Sequence, residues 1–280
     1  MTISTEVSIA VICFSKLRQL QAKQFCELND YPLFNKKNDH YEMQLMFHDD
    51  LIELYDRQLN TAISIDFIKG PLAHRRQFGG GRGQAIAKAV GLKSGATPTV
   101  LDTTAGLAGD AFVLAALGCH VTLIERSPVI FALIENAIER ASLSESFQPI
   151  LQRGFHLINC DANDYIISAL TSKSTHVDGN DNRNIIPVMT PDVIYIDPMY
   201  PERKKSALVK KDMQILQRLH GQDDNTAELL ENALLFAKKR VVVKRPVNAE
   251  TISQRIPSTF IKSKKTRYDI YTLEKMTSLS

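Results

Sequence analysis

The chain predicts an α/β fold in two parts: a Rossmann-like, mostly parallel sheet with helices on both faces over residues 71–280, and a small α/β subdomain over 1–70. Three observations predict it. TPTVLD (97–102) is a short apolar, β-branched run that reads as a strand. A turn with Gly106 and Gly109 follows it, then AFVLAALG, a helix closed by Gly118. HVTLIE (120–125) is a second strand, and helix-like and strand-like runs keep alternating after it, the signature of βαβ units. The N-terminal 70 residues instead bunch several strand-like runs around one helix.

The turn carries the first chemical signal. A strand, a glycine-containing turn and a helix let a backbone approach a ligand at a helix N-terminus. Glu125 ends the next strand 19 residues after Gly106, the spacing at which a carboxylate takes ribose hydroxyls. The dinucleotide fingerprint would need glycine at 106, 108 and 111, and the chain has Gly106, Ala108 and Ala111. No Gly-Lys-Ser/Thr follows, so a P-loop is excluded as well. Asp102 before Ala105-Gly106 suits a nucleoside ligand without pyrophosphate, such as S-adenosylmethionine, whose sulfonium and amino group favour carboxylates.

Composition bounds the rest. With 44% hydrophobic and 23% charged residues the chain is an ordinary globular protein. A net charge of +3 is too mild for a global field, so nucleic-acid binding needs local patches. Cys13, Cys26, Cys119 and Cys160 form no C-x-x-C pair and read as reduced thiols of a cytoplasmic protein. No group of Cys, His or carboxylates has metal-ligand spacing, so no metal is expected, and His40 and His48 read as surface or satisfied histidines. VSIAVICF (7–14) is too short to span a bilayer and reads as a strand, with SKLRQLQAKQF as a helix after it. YEMQLMFHDDLIELYD and TAISIDFI read as further strands.

Residues 70–95 change character. His74, Arg75, Arg76 and Arg82 are interleaved with Phe78 and a run of three glycines. Glycine runs expose backbone N–H groups, arginines suit phosphates, and Phe78 can stack on a base, so the stretch reads as a loop facing RNA or cofactor. SPVIFALIENAIERA reads as an amphipathic helix started by Ser127 and Pro128. Asp161 and Ala162 follow a third strand, where an acid meets an adenine amino group or caps the next helix.

PDVIYIDPMYP (191–201) is the second chemical signal. VIYI reads as a buried strand, with Asp197, Pro198 and Tyr200 at its carboxyl end, where open α/β sheets bind ligands. A planar nitrogen is a poor nucleophile because its lone pair is delocalised. Asp197 can accept one N–H and the Pro198 carbonyl another, aligning the lone pair, while Tyr200 stacks on the base. Lys204, Lys205, Lys210 and Lys211 follow and read as phosphate contacts. RVVVKRP is a strand flanked by Lys238, Lys239, Arg240, Lys244 and Arg245, and KKTRYDIYTL closes the chain as an edge-type strand. Residues 171–190 read as a surface loop.

AHRRQFGGGRG, LDTTAGLAGDAFVLA, IERSP, YIDPMYP, KKSALVKK and KRVVVKRP, spread in order over about residues 70–270, together resemble the ribosomal RNA small subunit methyltransferase J family. The resemblance implies a class I, Rossmann-like methyltransferase that uses S-adenosylmethionine and methylates N2 of a guanine, position 1516, in 16S ribosomal RNA. It places cofactor contacts at Gly109, Asp110, Glu125, Arg126, Asp161, Ala162 and Asp197. The family often has Gly-Arg-Asp where this chain has Ala108-Gly109-Asp110, so a contact from that arginine is absent here. Residues 1–70 match the family only loosely.

The residues alone leave other readings open. One is methylation of another planar nitrogen, adenine N6 or a glutamine amide. Another is an RNA-binding assembly factor without turnover, and a more distant one is a dehydrogenase. The basic segments favour 16S ribosomal RNA or the small subunit as partner.

Overall fold

The computed structural model describes residues 7–78, 81–92, 97–172, 190–199, 211–220, 225–252 and 255–274, without the side chains of 76–78 and 172. The chain begins with a five-stranded sheet. β1 (Ile9–Cys13) leads into α1 (Gln19–Asn29), followed by β2 (Leu33–Phe34), β3 (Met43–Phe47), β4 (Ile52–Asp56) and β5 (Thr61–Ile63). The strand order is β2-β1-β3-β4-β5, with β1 parallel to β2 and β3 and the rest antiparallel. The run YEMQLMFHDDLIELYD, expected as strand, divides into β3 and β4, with a turn over residues 48–51. Here His48 bonds Glu53 at 3.0 Å, a satisfied histidine as expected.

Next come α2 (Gly70–Phe78), a 3-10 turn at Gly81–Gly83 and α3 (Ala85–Ala89). The predicted loop over the histidine–arginine run is therefore a helix: PLAHRRQF contains no helix breaker after its first-turn proline, and the breakers begin only at Gly79. Gly109 lets this helix in close. A Cβ there would lie 3.3 Å from the Leu72 side chain.

The main sheet follows. β6 (Thr99–Asp102), α4 (Gly109–Ala116), β7 (His120–Glu125), α5 (Pro128–Ser142), α6 (Gln148–Arg153), β8 (Phe155–Asn159), α7 (Ala162–Ser172) and β9 (Val193–Ile196) form its first half. α8 (Lys211–His220), α9 (Thr226–Phe236), β10 (Arg240–Pro246), β11 (Thr259–Lys262) and β12 (Thr266–Thr272) complete it. The order is β11-β12-β10-β9-β6-β7-β8, with β12 antiparallel to both its neighbours and the other pairings parallel. β12 is thus an internal strand, not the expected edge. β11, whose burial is slight, takes that place. Of the expected surface loop at 171–190, Thr171 and Ser172 instead end α7, and residues 173–189 lie outside the described residues.

The order reverses beside β6: β7 and β8 lie to one side, β9 and β10 to the other. That reversal opens a crevice at the carboxyl ends of β6 and β9, because the connections leave in opposite directions. Val100, Leu101, Val121, Leu123 and Ile194 are at most 3% exposed, as a sheet covered on both faces requires. One apolar cluster runs from Val11, Leu45 and Leu54 of the small sheet through Phe112 of α4 and Leu133 of α5 to Val121. Phe67 links the two sheets: its ring lies 4.8 Å from that of Phe112 and 5.7 Å from that of Phe147. Burying each such ring contributes on the order of 2 kcal/mol.

Polar ties supplement this packing. Ile52 N donates to Asn136 Oδ1 on α5 at 2.9 Å, and Arg218 on α8 donates to the fully buried Asp56 carboxylate at 2.6 Å. At the start of α5, Ser127 Oγ accepts from Ile130 N at 3.4 Å, with Pro128 at the first helical position. Ser127→Ala is expected to cost about 1 kcal/mol of unfolding free energy, read by urea denaturation.

Candidate active site

A cavity of about 280 Å³ occupies the crevice, walled by the 102–110 turn, the ends of β7 and β9, the start of α7 and one face of α8. The two motifs singled out in the sequence meet here. Thr103 N and Oγ1 both donate to Tyr195 O at 3.0 Å, and Asp197 N donates to Thr104 Oγ1 at 2.6 Å. The turn after β6 and the Asp197-Pro198 turn after β9 are therefore one rigid unit.

Gly106 has φ 51° and Ala108 φ 57°. The first suits glycine. The second is a left-handed conformation that an alanine adopts at a cost of about 1 kcal/mol or more, a strain typical of ligand-binding turns. Glu125 Oε2 accepts from Gly106 N at 3.0 Å and Oε1 accepts from Ser127 N at 2.8 Å. These bonds fix the carboxylate at the cavity wall. Asp161 Oδ1 accepts from Asn163 N at 2.8 Å, so it caps α7 while lining the cavity beside Ala162.

A charged network closes the other side. Asp110, in the first turn of α4, accepts from Arg75 at 2.7 Å, from Tyr195 Oη at 2.6 Å and from Lys244 Nζ at 2.8 Å. Lys244 Nζ also donates to Asp197 Oδ2 at 2.7 Å. Burial opposes ionisation of Asp110, yet the Lys244 and Arg75 charges and the bonds from Lys244 and Tyr195 hold it down at about 2. Burial and the neighbouring Asp110 push Asp197 up to about 6, with Lys244 pulling the other way. Burial pushes Asp102 up to about 8, against its bond from the Thr104 amide, with Asp110 and Asp197 adding to the rise.

Asp102, Ala105, Gly106, Gly109, Asp110, Glu125, Arg126, Asp161, Ala162, Asp197 and Pro198 all line this one cavity. Arg75 lines it too, pairing with Asp110 at 2.7 Å while its side chain stays 36% exposed. His74 and Arg82 lie on α2 and the 3-10 turn after it. Lys211 begins α8 and donates to Leu59 O at 3.4 Å. Tyr200, Lys204, Lys205 and Lys210 and the side chains of Arg76 and Phe78 lie outside the described residues. Three contributors carry little site signal in the sequence: Tyr195 lies inside the buried VIYI run, Thr104 inside the DTTAG turn, and Lys244 among many basic residues around a strand. The legible signal for Lys244 was its place at the carboxyl end of a VVV strand.

Cys160 also borders the cavity. Burial, with Asp161 and Asp164, pushes its thiol up to about 11, so it is protonated at neutral pH and is no nucleophile. Cys160→Ala is expected to leave methyl transfer within about two-fold of the parent, measured as initial rate; a loss approaching that of a catalytic residue, about 100-fold, would assign it a covalent role.

A doubly wound sheet of this order, with a carboxylate-rich crevice and an acid ending β7, defines a Rossmann-like S-adenosylmethionine-dependent methyltransferase. A family model described as putative SAM-dependent methyltransferase matches residues 28–273. Ribosomal RNA small subunit methyltransferase J of Shewanella amazonensis is 49% identical over 236 residues, 84% of this chain and 88% of the relative. The Haemophilus influenzae protein of the same name is 46% identical over 84% of this chain and 85% of its own. Among solved structures, an SAM-dependent methyltransferase from Neisseria gonorrhoeae superposes with a TM-score of 0.68 at 29% identity, covering 94% of this chain and 95% of that one. The chain belongs to the ribosomal RNA small subunit methyltransferase J family.

The cavity fits the cofactor this family uses. Its acidic side chains suit a cationic, hydroxyl-bearing ligand, and Leu107, Ile124, Ala162 and Leu229 supply apolar wall for an adenine ring.

Proposed function

We propose that this protein methylates N2 of a guanine, position 1516, in 16S ribosomal RNA of the small subunit, in the cytoplasm. The observation that carries the reading is the fusion of the Asp197-Pro198 turn to the cofactor-side turn through Thr104, with Lys244 holding Asp197 at the cavity mouth. Glu125 takes the ribose hydroxyls, Asp161 and Ala162 meet the adenine edge, and Gly106, Gly109 and Ala105 supply close backbone. Asp102 and Asp110 face the cationic amino-acid end, with Arg126 flanking the nucleoside. Asp102 ionises when a cation sits beside it, because an opposite charge favours the charged form.

When bound, S-adenosylmethionine supplies a methyl group on a cationic sulfur. The chain's own work is to present the acceptor. Asp197 accepts one N–H of the guanine amino group and the Pro198 carbonyl the other, turning the nitrogen lone pair toward the methyl group. As the nitrogen becomes cationic, Asp197 stabilises that charge and takes the proton. Tyr200 stacks on the base. His74, Arg76, Phe78, Arg82, Lys204, Lys205, Lys210 and Lys211 hold the flanking strand, and Arg75 orders Asp110. No helix among the described residues is long and apolar enough to cross a membrane.

The test is transfer from labelled S-adenosylmethionine to small subunits or 16S ribosomal RNA lacking the modification, followed by nucleoside digestion. N2-methylguanosine is the expected product. N6-methyladenosine would assign the site to another planar nitrogen, and no label with a bound cofactor would overturn the RNA reading.

A further inference from the structure

β11 and β12 form a hairpin whose turn carries Lys264 and Lys265, with Lys262 and Phe260 on the strand leading into it. Pro246 pairs with Thr266 and Lys244 with Tyr268, so the turn lies just beyond the end of β10 that holds Lys244 against Asp197. β11 is three strands from β9 in the sheet, about 14 Å at ordinary strand spacing. The turn thus lies at the same end of the sheet as the active site, to one side of the cavity.

Its sequence is not explained by folding. Tight hairpin turns favour Asn-Gly, Asp-Gly or Gly-containing pairs. Here two lysines sit side by side, neither with positive φ. Adjacent like charges repel, and among the described residues no acidic side chain pairs with Lys262, Lys264 or Lys265. The hairpin is nevertheless rigidly built. Ser263 N donates to Thr266 O at 2.7 Å and Val247 N to Lys265 O at 3.3 Å. Arg267 donates to both Asp269 oxygens, at 2.7 and 2.9 Å, and to the carbonyls of Val247 and Ala249. Beside the turn Phe260 is 52% exposed, with Lys262 Nζ 4.9 Å from its ring centre. Lysines also guard edge strands against pairing. That accounts for Lys262 but not for the two turn lysines, which lie off the strand.

We propose that this hairpin is an RNA-docking surface: Lys262, Lys264 and Lys265 contact phosphates of nucleotides flanking the target, and Phe260 stacks on a base. An exposed aromatic beside exposed lysines on a well-held hairpin is what a polyanionic strand with π-faced bases recognises. The proposal rests on the RNA-methylating reading above and adds to it the path of the RNA.

The experiment measures equilibrium binding of 16S ribosomal RNA across a potassium chloride series. The Lys262→Gln/Lys264→Gln/Lys265→Gln variant is compared with wild type and with a Lys16→Gln/Lys23→Gln control. Each lost phosphate contact removes about 0.7–0.9 from the slope of log affinity against log salt, so the triple variant should lose about 2. S-adenosylmethionine affinity should stay unchanged, and Phe260→Ala should weaken RNA binding about five-fold without altering the slope. If the triple variant self-associates, Lys264→Gln/Lys265→Gln, which keeps the edge lysine, reads the slope alone. A wild-type slope, or a fall per lysine no greater than the control's, overturns the proposal. Failure of wild type to methylate any RNA would overturn the reading beneath it instead.

Discussion

Asp197→Ala is expected to leave a folded protein that binds S-adenosylmethionine and has lost methyl transfer, with kcat down about 1,000-fold. Asp197 ends a fully buried strand but its own side chain is 34% exposed at the cavity mouth, so truncation opens no cavity in the core. What disappears is the acceptor for an N–H that becomes more acidic as the nitrogen takes the methyl group. Because burial and Asp110 push Asp197 up to about 6, the wild-type rate should fall as pH drops through that value, where the carboxylate becomes protonated and stops accepting. Asp197→Asn keeps an acceptor oxygen without the charge or the proton affinity. It should fall between wild type and alanine and lose the acid limb of the profile. Cofactor affinity measured by calorimetry should change by less than about five-fold (about 1 kcal/mol).

Lys244→Met carries the second large effect. One ammonium serves two carboxylates here, at 2.8 and 2.7 Å, with Asp102 close behind them. Removing it leaves Asp110 with Arg75 and Tyr195, and Asp197 with only the weaker influence of the Arg75 charge. A like charge beside a weakened counter-charge raises an acid, so the acid limb of the rate profile should move upward by a unit or more. At neutral pH kcat should drop on the order of 100-fold, from a smaller ionised fraction and a looser Asp197. Stability should fall by about 2 kcal/mol, below the usual range for a broken buried pair because Lys244 is 28% exposed. Lys244→Arg should restore most of the stability and part of the rate, since a guanidinium supplies the charge with a different reach. An unmoved acid limb would show that Lys244 only packs.

Both variants address a site that was partly legible in the sequence. The turn after β6, Glu125 and the Asp-Pro pair were readable because their spacing to strand ends is fixed by the βαβ unit. Their convergence followed from the strand order alone. Lys244 and Tyr195 were not readable as site residues, since their roles depend on register between strands far apart in the chain. Tyr195 is 85 residues from Asp110 and Lys244 is 134. α2 was mistaken for a loop because the glycines after it dominated the local pattern, while eight ordinary residues before them fold on α4 through Gly109. β11 was hidden by its shortness: four residues, TFIK, held by one partner strand rather than by a core face. The small sheet was legible as strands, but its attachment to α5 and α8 was not. Asp56 and Arg218 meet 162 residues apart.

The measurement that tests the central claim most directly is mapping of the methylated position. Small subunits lacking the modification are incubated with labelled S-adenosylmethionine and either wild type or Asp197→Ala, and the RNA is fragmented and sequenced by mass. The account predicts one labelled guanine, at position 1516 and on N2, with wild type, and none with the variant. Label on another atom, or undiminished label with Asp197→Ala, would contradict it.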